Sequence, residues 1–379
     1  MLTWVEISTS ALAHNICVFK KLIGKKKLMA VIKSNAYGHG MEIVADVCAR
    51  NESVDAFGVA SVYEALELFK QGIRKTIIVL SILDVEQVAK MTQVQLNLIS
   101  LPLYDMATGQ KLFTVLKQRG LKAQVHVKID TGTTRIGFLP SQISELLIFL
   151  QSAKKFIFLE ALYTHFADAE DNISFTLKQN KILLETKNLF KKVGFKNFYT
   201  HSACTAATIR FADTHRDMIR LGLGLYGLNP NKKTAALIQK KTGKKLLPAL
   251  SWHSKLTQVK TIPKGSTVGY GRSFKAHKAA TIGVVPVGYF DGYDRKLSNK
   301  GHVVIRGTTC PIAGRVSMNL TMIDLSKIAK TVKTGDTVTL IDRRRGAKVN
   351  ADSIAQSIET INYEIVTRIN PLIPRLRRS

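Results

Sequence analysis

Between residues 28 and 223 the chain repeats one alternation, and this limits its fold more than any other feature. Apolar runs suited to strands fall at 28–32, 56–60, 76–80, 95–99, 123–129, 158–164, 197–200 and 218–223. Amphipathic stretches of helical length lie between most of them, at 41–50, 62–71, 103–119, 141–153 and 173–193, after a first one at 10–23. Strands alternating with crossover helices predict a parallel sheet covered on both faces. Eight such strands predict a closed (β/α)8 barrel rather than an open sheet.

After Leu228 the texture changes. Residues 229–248 are basic and bounded by prolines, which predicts a linker or exposed loop. Strand follows strand beyond it, at 250–262, 266–271, 281–287, 302–305, 318–324 and 337–341, with a helix at 351–361 that Asn350 or Asp352 can cap. The expected organisation is a barrel over 8–235 and a mainly β domain over 236–379, with the β-like opening segment, 1–7, joining the second domain.

With 379 residues the chain is long enough for two domains. No apolar run reaches the length of a membrane span, and no secretory signal opens the sequence. Four cysteines, Cys17, Cys48, Cys204 and Cys310, lack CxxC spacing, so neither a disulfide framework nor a metal site is expected; a reduced, cytoplasmic setting is. The net charge of +29 would suit nucleic acid or an anionic membrane. Yet the cations come in small groups, such as Lys25 to Lys27, Lys244 and Lys245, Arg343 to Arg345 and Arg375 to Arg378, without a recognition motif. A solvated basic surface is the expectation, with no specific nucleic-acid or membrane partner.

In a (β/α)8 barrel the reactive groups gather where the strands end. Here polar residues mark those places: Lys33 after the first strand, Lys128, Asp130 and Arg135 at or after the fifth, His165 after the sixth, His201 and Thr205 after the seventh, and Arg220 in the eighth. Lys33 follows five apolar residues, LMAVI. Desolvation there would lower its pKa and free the amine to attack a carbonyl; snorkelling to water is the alternative. Arg135 offers a fork for a carboxylate or phenolate. Gly222, Gly224 and Gly227 permit close backbone approach, and exposed N–H groups there, including that of Leu223, can cradle phosphate.

The segment AVIKSNAYGHG resembles the lysine motif of the pyridoxal-phosphate-dependent alanine racemase family of fold type III, and the resemblance extends over nearly the whole chain. It implies pyridoxal 5'-phosphate held covalently at Lys33. Tyr37, His165, Thr205, Arg220, Gly222, Leu223 and Tyr363 (in ETINYEIVTRI) would be its other contacts. Arg220 would face the ring nitrogen; a guanidinium cannot accept that nitrogen's proton, so the ring remains a restrained electron sink suited to racemisation. Arg135 and the backbone of Met318, in GRVSMNL, would hold the substrate carboxylate. The family also implies that Lys128 sits at a position carbamylated in some members.

Racemisation needs a base and an acid on opposite faces of the substrate. The resemblance implies Lys33 on one face and Tyr270, in STVGYGRSF, on the other, reaching in from the second subunit of a homodimer. A phenol serves as base only with cations nearby, and His165 hydrogen-bonded to Arg220 is the family's arrangement. Tyr289, in PVGYFDGYDR, would line the entrance. Cys204, Ser317 and Asn319 depart from the residues commonly found at their positions. The implied activity is interconversion of L- and D-alanine, supplying D-alanine for peptidoglycan. The alternative is a broad-specificity amino-acid racemase of the same fold.

Overall fold

The computed structural model describes residues 1–344 and 346–379. Arg345, the last of one basic group, lies outside the described residues. The chain divides into two compact units: residues 13–34 with 44–246, and residues 1–12 and 35–43 with 247–379. The expected change of domain at 235/236 falls within the helix Lys232–Thr242.

The chain opens with strand β1 (Thr3–Ser8) and the helix Thr9–Ile23. Eight parallel strands then close a barrel in sequence order: β2 (Lys27–Val31), β3 (Ala56–Val59), β4 (Thr76–Val79), β5 (Ile99–Leu103), β6 (Ala123–Lys128), β7 (Ile157–Tyr163), β8 (Tyr199–His201) and β9 (Met218–Leu221). β9 pairs back onto β2, with Lys27 opposite Met218. Apolar residues make up most of both strand faces, and every residue of β3 and β5 is buried. Such strands read as continuous apolar runs because helices cover the outside.

Two expectations fail within this unit. Residues 95–99 are not a strand: the helix Gln93–Leu98 occupies them, and β5 begins only at Ile99. Val94, Leu96 and Leu98 alternate with polar residues, which imitates a strand. A capping box decides the matter, in which Thr92 Oγ1 accepts from Gln95 N–H (3.3 Å) and Gln95 Oε1 accepts from Thr92 N–H (2.8 Å). Nor is 229–248 simply a loop. The helix Lys232–Thr242 starts at an Asn231/Thr234 capping box, buries Thr234, Ile238 and Thr242 as one stripe, and ends at left-handed Gly243.

The second unit holds β10 (Leu250–Lys255), β11 (Gln258–Ile262), β12 (Thr267–Val268), β13 (Phe274–Lys275), β14 (Ala280–Val285), β15 (His302–Ile305), β16 (Thr308–Pro311), β17 (Thr321–Asp324), β18 (Thr337–Ile341) and β19 (Arg375–Arg378). A six-stranded sheet runs β16-β15-β18-β10-β1-β19, a three-stranded one runs β11-β14-β17, and β12 pairs with β13. The run at 250–262 thus breaks into two strands that serve different sheets. The helix expected over 351–361 stops at Ser357, and Tyr363 rides on the next one, Asn362–Thr367.

The basic C-terminus is not merely a solvated surface. It supplies an edge strand, in which Arg378 pairs with Glu6 at 2.7 Å. Arg375 donates to the carbonyls of Gly38 (3.1 Å), Ile369 (3.0 Å) and Asn370 (2.6 Å). Among the described residues no helix is long and apolar enough to cross a membrane.

Candidate active site

Lys33 follows the end of β2 after one intervening residue, Ile32. The turn it opens, Lys33–Tyr37, is helical but left-handed: φ is 56°, 52°, 53° and 53° at Ser34, Asn35, Ala36 and Tyr37. For L-residues this costs about 1–2 kcal/mol each, and strain of this kind marks functional sites when the surroundings enforce it. Glu64 supplies part of that enforcement. Its two carboxylate oxygens accept from Ser34 N–H (2.6 Å) and Ala60 N–H (2.7 Å), tying the turn to the end of β3. The turn aims the lysine rather than letting the chain run on.

Burial lowers the Lys33 pKa, and the cations Arg135 and Arg220 push the same way, against Glu64. Lys128, at the end of β6 and 4% exposed, falls to about 8 through burial, Arg135 and Arg220. Asp130 accepts four backbone N–H groups, of Gly132, Thr133, Thr134 and Arg135, at 2.9–3.1 Å; the loop KIDTGTTRIG is thereby folded around one carboxylate and carries Arg135 on its exposed side. Burial opposes ionisation of Asp130, but those N–H groups outweigh it and hold the carboxyl below its usual range.

Arg220, 5% exposed in β9, is the most tightly held cation. Its guanidinium donates to the carbonyls of Thr164 (2.9 Å), His201 (3.0 Å) and Ser202 (2.8 Å), and to Nδ1 of His201 (3.0 Å) and of His165 (3.2 Å). Burial and the facing guanidinium depress both imidazoles well below the ordinary histidine value, so both are neutral at neutral pH. Tyr163 stacks on His201, with ring centroids 4.9 Å apart.

The loop after β9 tests whether a phosphate would fit. Gly222 and Leu223 are buried, and among the described residues their N–H groups meet no protein acceptor. Gly224 N–H donates to Thr205 Oγ1 at 3.2 Å, and a Cβ on Gly224 would strike Phe19 at 2.6 Å and Thr205 at 2.9 Å. Buried backbone donors without a partner, beside a hydroxyl, form an anion cradle. The residues present therefore fit the phosphate of pyridoxal phosphate, and the desolvated amine of Lys33 fits its aldehyde.

The remaining expected residues lie in the other unit. Tyr37 and Tyr363 sit together there, ring centroids 6.3 Å apart. Gly38 packs so closely that a Cβ would lie 2.0 Å from Val366 O. Tyr270 stands 73% exposed on a one-turn 3-10 helix between Gly269 (φ 73°) and Gly271 (φ 68°), two conformations that favour glycine. Tyr289 and Met318 are also exposed, on two loops zipped together by Tyr289 N–H to Ser317 O and Phe290 N–H to Met318 O, each 3.0 Å. Glu64, His126, Glu160 and Tyr199 went unnoticed in the sequence, because nothing in their spacing marks them.

A closed parallel barrel with a desolvated lysine and a caged arginine near its strand ends, joined in sequence to a mainly β unit, defines a class of two-domain α/β-barrel enzymes. Comparison with known proteins narrows the class. The alanine racemase N-terminal domain matches residues 7–230 and the C-terminal domain residues 249–377. Alanine racemase 1 of Caldanaerobacter subterraneus is 35% identical over 376 residues, covering 99% of this chain and 94% of the relative. Alanine racemase of Methanococcus maripaludis is 34% identical, covering 98% of both. Solved structures agree: alanine racemase of Clostridium difficile superposes with a TM-score of 0.91 at 32% identity, covering 100% of this chain and 96% of that one. That of Bacillus anthracis with bound L-Ala-P gives 0.89 at 31%, covering 100% and 95%. The chain belongs to the alanine racemase family, a family of pyridoxal-phosphate-dependent isomerases.

Proposed function

We propose that this chain is an alanine racemase, working on L- and D-alanine with pyridoxal 5'-phosphate at the barrel's strand ends. The observation that carries the reading is the pairing of a lysine whose pKa is lowered by burial and two cations with an arginine fixed by three carbonyls and two imidazoles. Lys33 would bind the cofactor covalently. Thr205 and the N–H groups of Gly222 and Leu223 would hold its phosphate, and Arg220 and His165 its ring. When bound, the group supplies an electron sink for the pair left when an α-proton departs.

The protein's own residues do the rest. Arg135 and the backbone N–H of Met318 fix the substrate carboxylate and so the plane of the reacting carbon. The Lys33 amine, whose pKa desolvation lowers, takes or returns the α-proton on one face. The Tyr270 phenol does so on the other face, contributed by a second copy of the chain. Arg220 can only donate, so it would leave the ring nitrogen of the bound group unprotonated and favour delivery of a proton back to the α-carbon. A homodimer is supported by the exposed patch of Tyr270, Tyr289, Phe290, Met318 and Leu320 in one unit. The product would serve cytoplasmic peptidoglycan synthesis. The broad-specificity alternative is not favoured, since the quoted relatives bear the alanine name.

The test is direct. Purified protein with added cofactor and L-alanine should generate D-alanine, detected by a stereospecific oxidase, and the reverse. Faster turnover of serine or a basic amino acid than of alanine, or no D-alanine at all, would overturn the reading.

A further inference from the structure

The interior of a (β/α)8 barrel is ordinarily filled by branched apolar side chains. Here a column of hydrogen-bonded polar groups runs through it. Arg220 donates to Nδ1 of His201, whose Nε2 lies 3.0 Å from Nδ1 of His126. Nε2 of His126 lies 3.0 Å from Oε2 of Glu160, which Ser100 Oγ also meets. Both histidines are 0% exposed. The carboxylate is placed by a backbone irregularity. Between β6 and β7 the register steps from Val125 opposite Leu159 to His126 opposite Ala161, leaving Glu160 as the extra residue of a bulge. Bulges re-aim side chains, and without this one Glu160 would alternate with its neighbours and take another face.

The column has only one self-consistent order of protons. A guanidinium donates and never accepts, so Nδ1 of His201 must accept and its proton must sit on Nε2. That N–H then donates to Nδ1 of His126, whose own proton must sit on Nε2 and donate to a carboxylate, which only accepts when ionised. Burial opposes the charge on Glu160, but the hydrogen bonds from His126 and Ser100, with the nearby charge of Lys27, hold its carboxyl below the usual range. Tyr199, 3.1 Å from the same Nε2, is pushed far up by burial and by Glu160, and stays a phenol.

We propose that Glu160 is a positioning residue for the reaction, which through His126 and His201 fixes the one tautomer order that lets Arg220 donate to His201 and keeps its guanidinium in place. The catalytic consequence rests on the reading of Arg220 given above; the tautomer order does not. Glu160 touches neither substrate nor cofactor in this scheme. It acts as the fixed acceptor at the far end of a chain of neutral rings, and its charge makes each ring a better acceptor for the donor before it.

The test uses histidine 15N spectra of the full-length protein, with and without added cofactor, beside alanine kinetics. In the wild type both His126 and His201 should carry their proton on Nε2, and His201 should not titrate between about pH 6 and 9. Glu160→Gln keeps the volume but removes the charge and offers an N–H end. It should populate the Nδ1–H tautomer of His126 and lower kcat on the order of 10-fold to 100-fold, with KM for alanine within about twofold. Glu160→Asp, which keeps the acceptor, should retain the wild-type tautomers and most of kcat. The proposal is overturned by an Nδ1–H tautomer in the wild type, by Glu160→Gln leaving tautomers or kcat unchanged, or by equal losses in the two variants, which would indicate packing alone. Absence of racemisation in the wild type would sink the functional reading while leaving the spectra to decide the proton order.

Discussion

The barrel and the mainly β unit present their functional side chains in opposite ways. In the barrel Arg220 is 5% exposed and held by five acceptors, and Lys128 is 4% exposed. In the β unit Tyr270 is 73% exposed and Met318 54%. The first set has its charge states imposed by the chain's own burial and hydrogen bonds; the second set is shaped only in its backbone, by glycines and paired loops. The difference teaches that the chain fixes its buried cations by itself but leaves its phenol exposed; on the proposed reading a second copy would cover that phenol and complete the site.

The largest effect should come from breaking the barrel half. On the proposed reading Lys33→Ala would remove both the covalent anchor and one base. Racemisation should fall by about 10⁴-fold or more in both directions, and the visible absorbance of the covalently bound cofactor should vanish. Wild-type absorbance in the variant would move the anchor elsewhere.

Next comes the phenol. Tyr270→Phe should lower kcat by about 10²-fold to 10⁴-fold with little change in stability, because an exposed hydroxyl contributes no packing. The discriminating measurement is exchange of the α-proton with solvent. Exchange from the enantiomer served by Lys33 should outlast exchange from the other; equal losses would place the second base on another residue.

A third change sharpens the contrast at the exposed patch. Phe290 is 58% exposed beside the loop that carries Met318. Phe290→Asp should weaken self-association by about 30-fold, near 2 kcal/mol, if a second copy covers it. Sedimentation would show the dimer dissociating on dilution, with activity falling in step and recovering at high protein concentration. An unchanged dimer would take this face out of the interface.

Much of the barrel was legible because a strand buried on both faces must be apolar throughout, so a polar residue at its end stands out. Lys33, His165 and Arg220 stood out as candidates this way. Glu160 was not, because FLEALYT reads as an uninterrupted strand and a bulge leaves no compositional trace. The left-handed turn after Lys33 was equally hidden, since four non-glycine residues adopt it under tertiary constraint. In the helix Lys232–Thr242 a narrow buried stripe was masked by lysines on every other face. At residues 95–99 local alternation pointed one way and a capping box of four residues, Thr92 to Gln95, decided the other. Features set by one side chain meeting one backbone group escape pattern reading; features set by burial of a whole face do not.

The smallest expected effect tests whether the barrel's buried cations are strained as the contrast requires. Lys128 has a pKa of about 8 in the folded chain, against an ordinary value of 10.5. Below pH 8 it is charged in both folded and unfolded states, and folding bears the cost of burying that charge. Between about 8 and 10.5 the unfolded chain binds more protons than the folded one, so this group makes stability rise with pH. From pH 8 to 9.5 the rise amounts to about 1.5 kcal/mol. Lys128→Met deletes the titrating group while keeping a similar stem, so urea unfolding of wild type and variant should diverge in favour of the variant at pH 7, draw together between about pH 8 and 9.5, and converge only above about pH 10.5. Parallel curves across that range would mean that water reaches Lys128 freely, and that the barrel half of the site is less closed than its hydrogen bonds indicate.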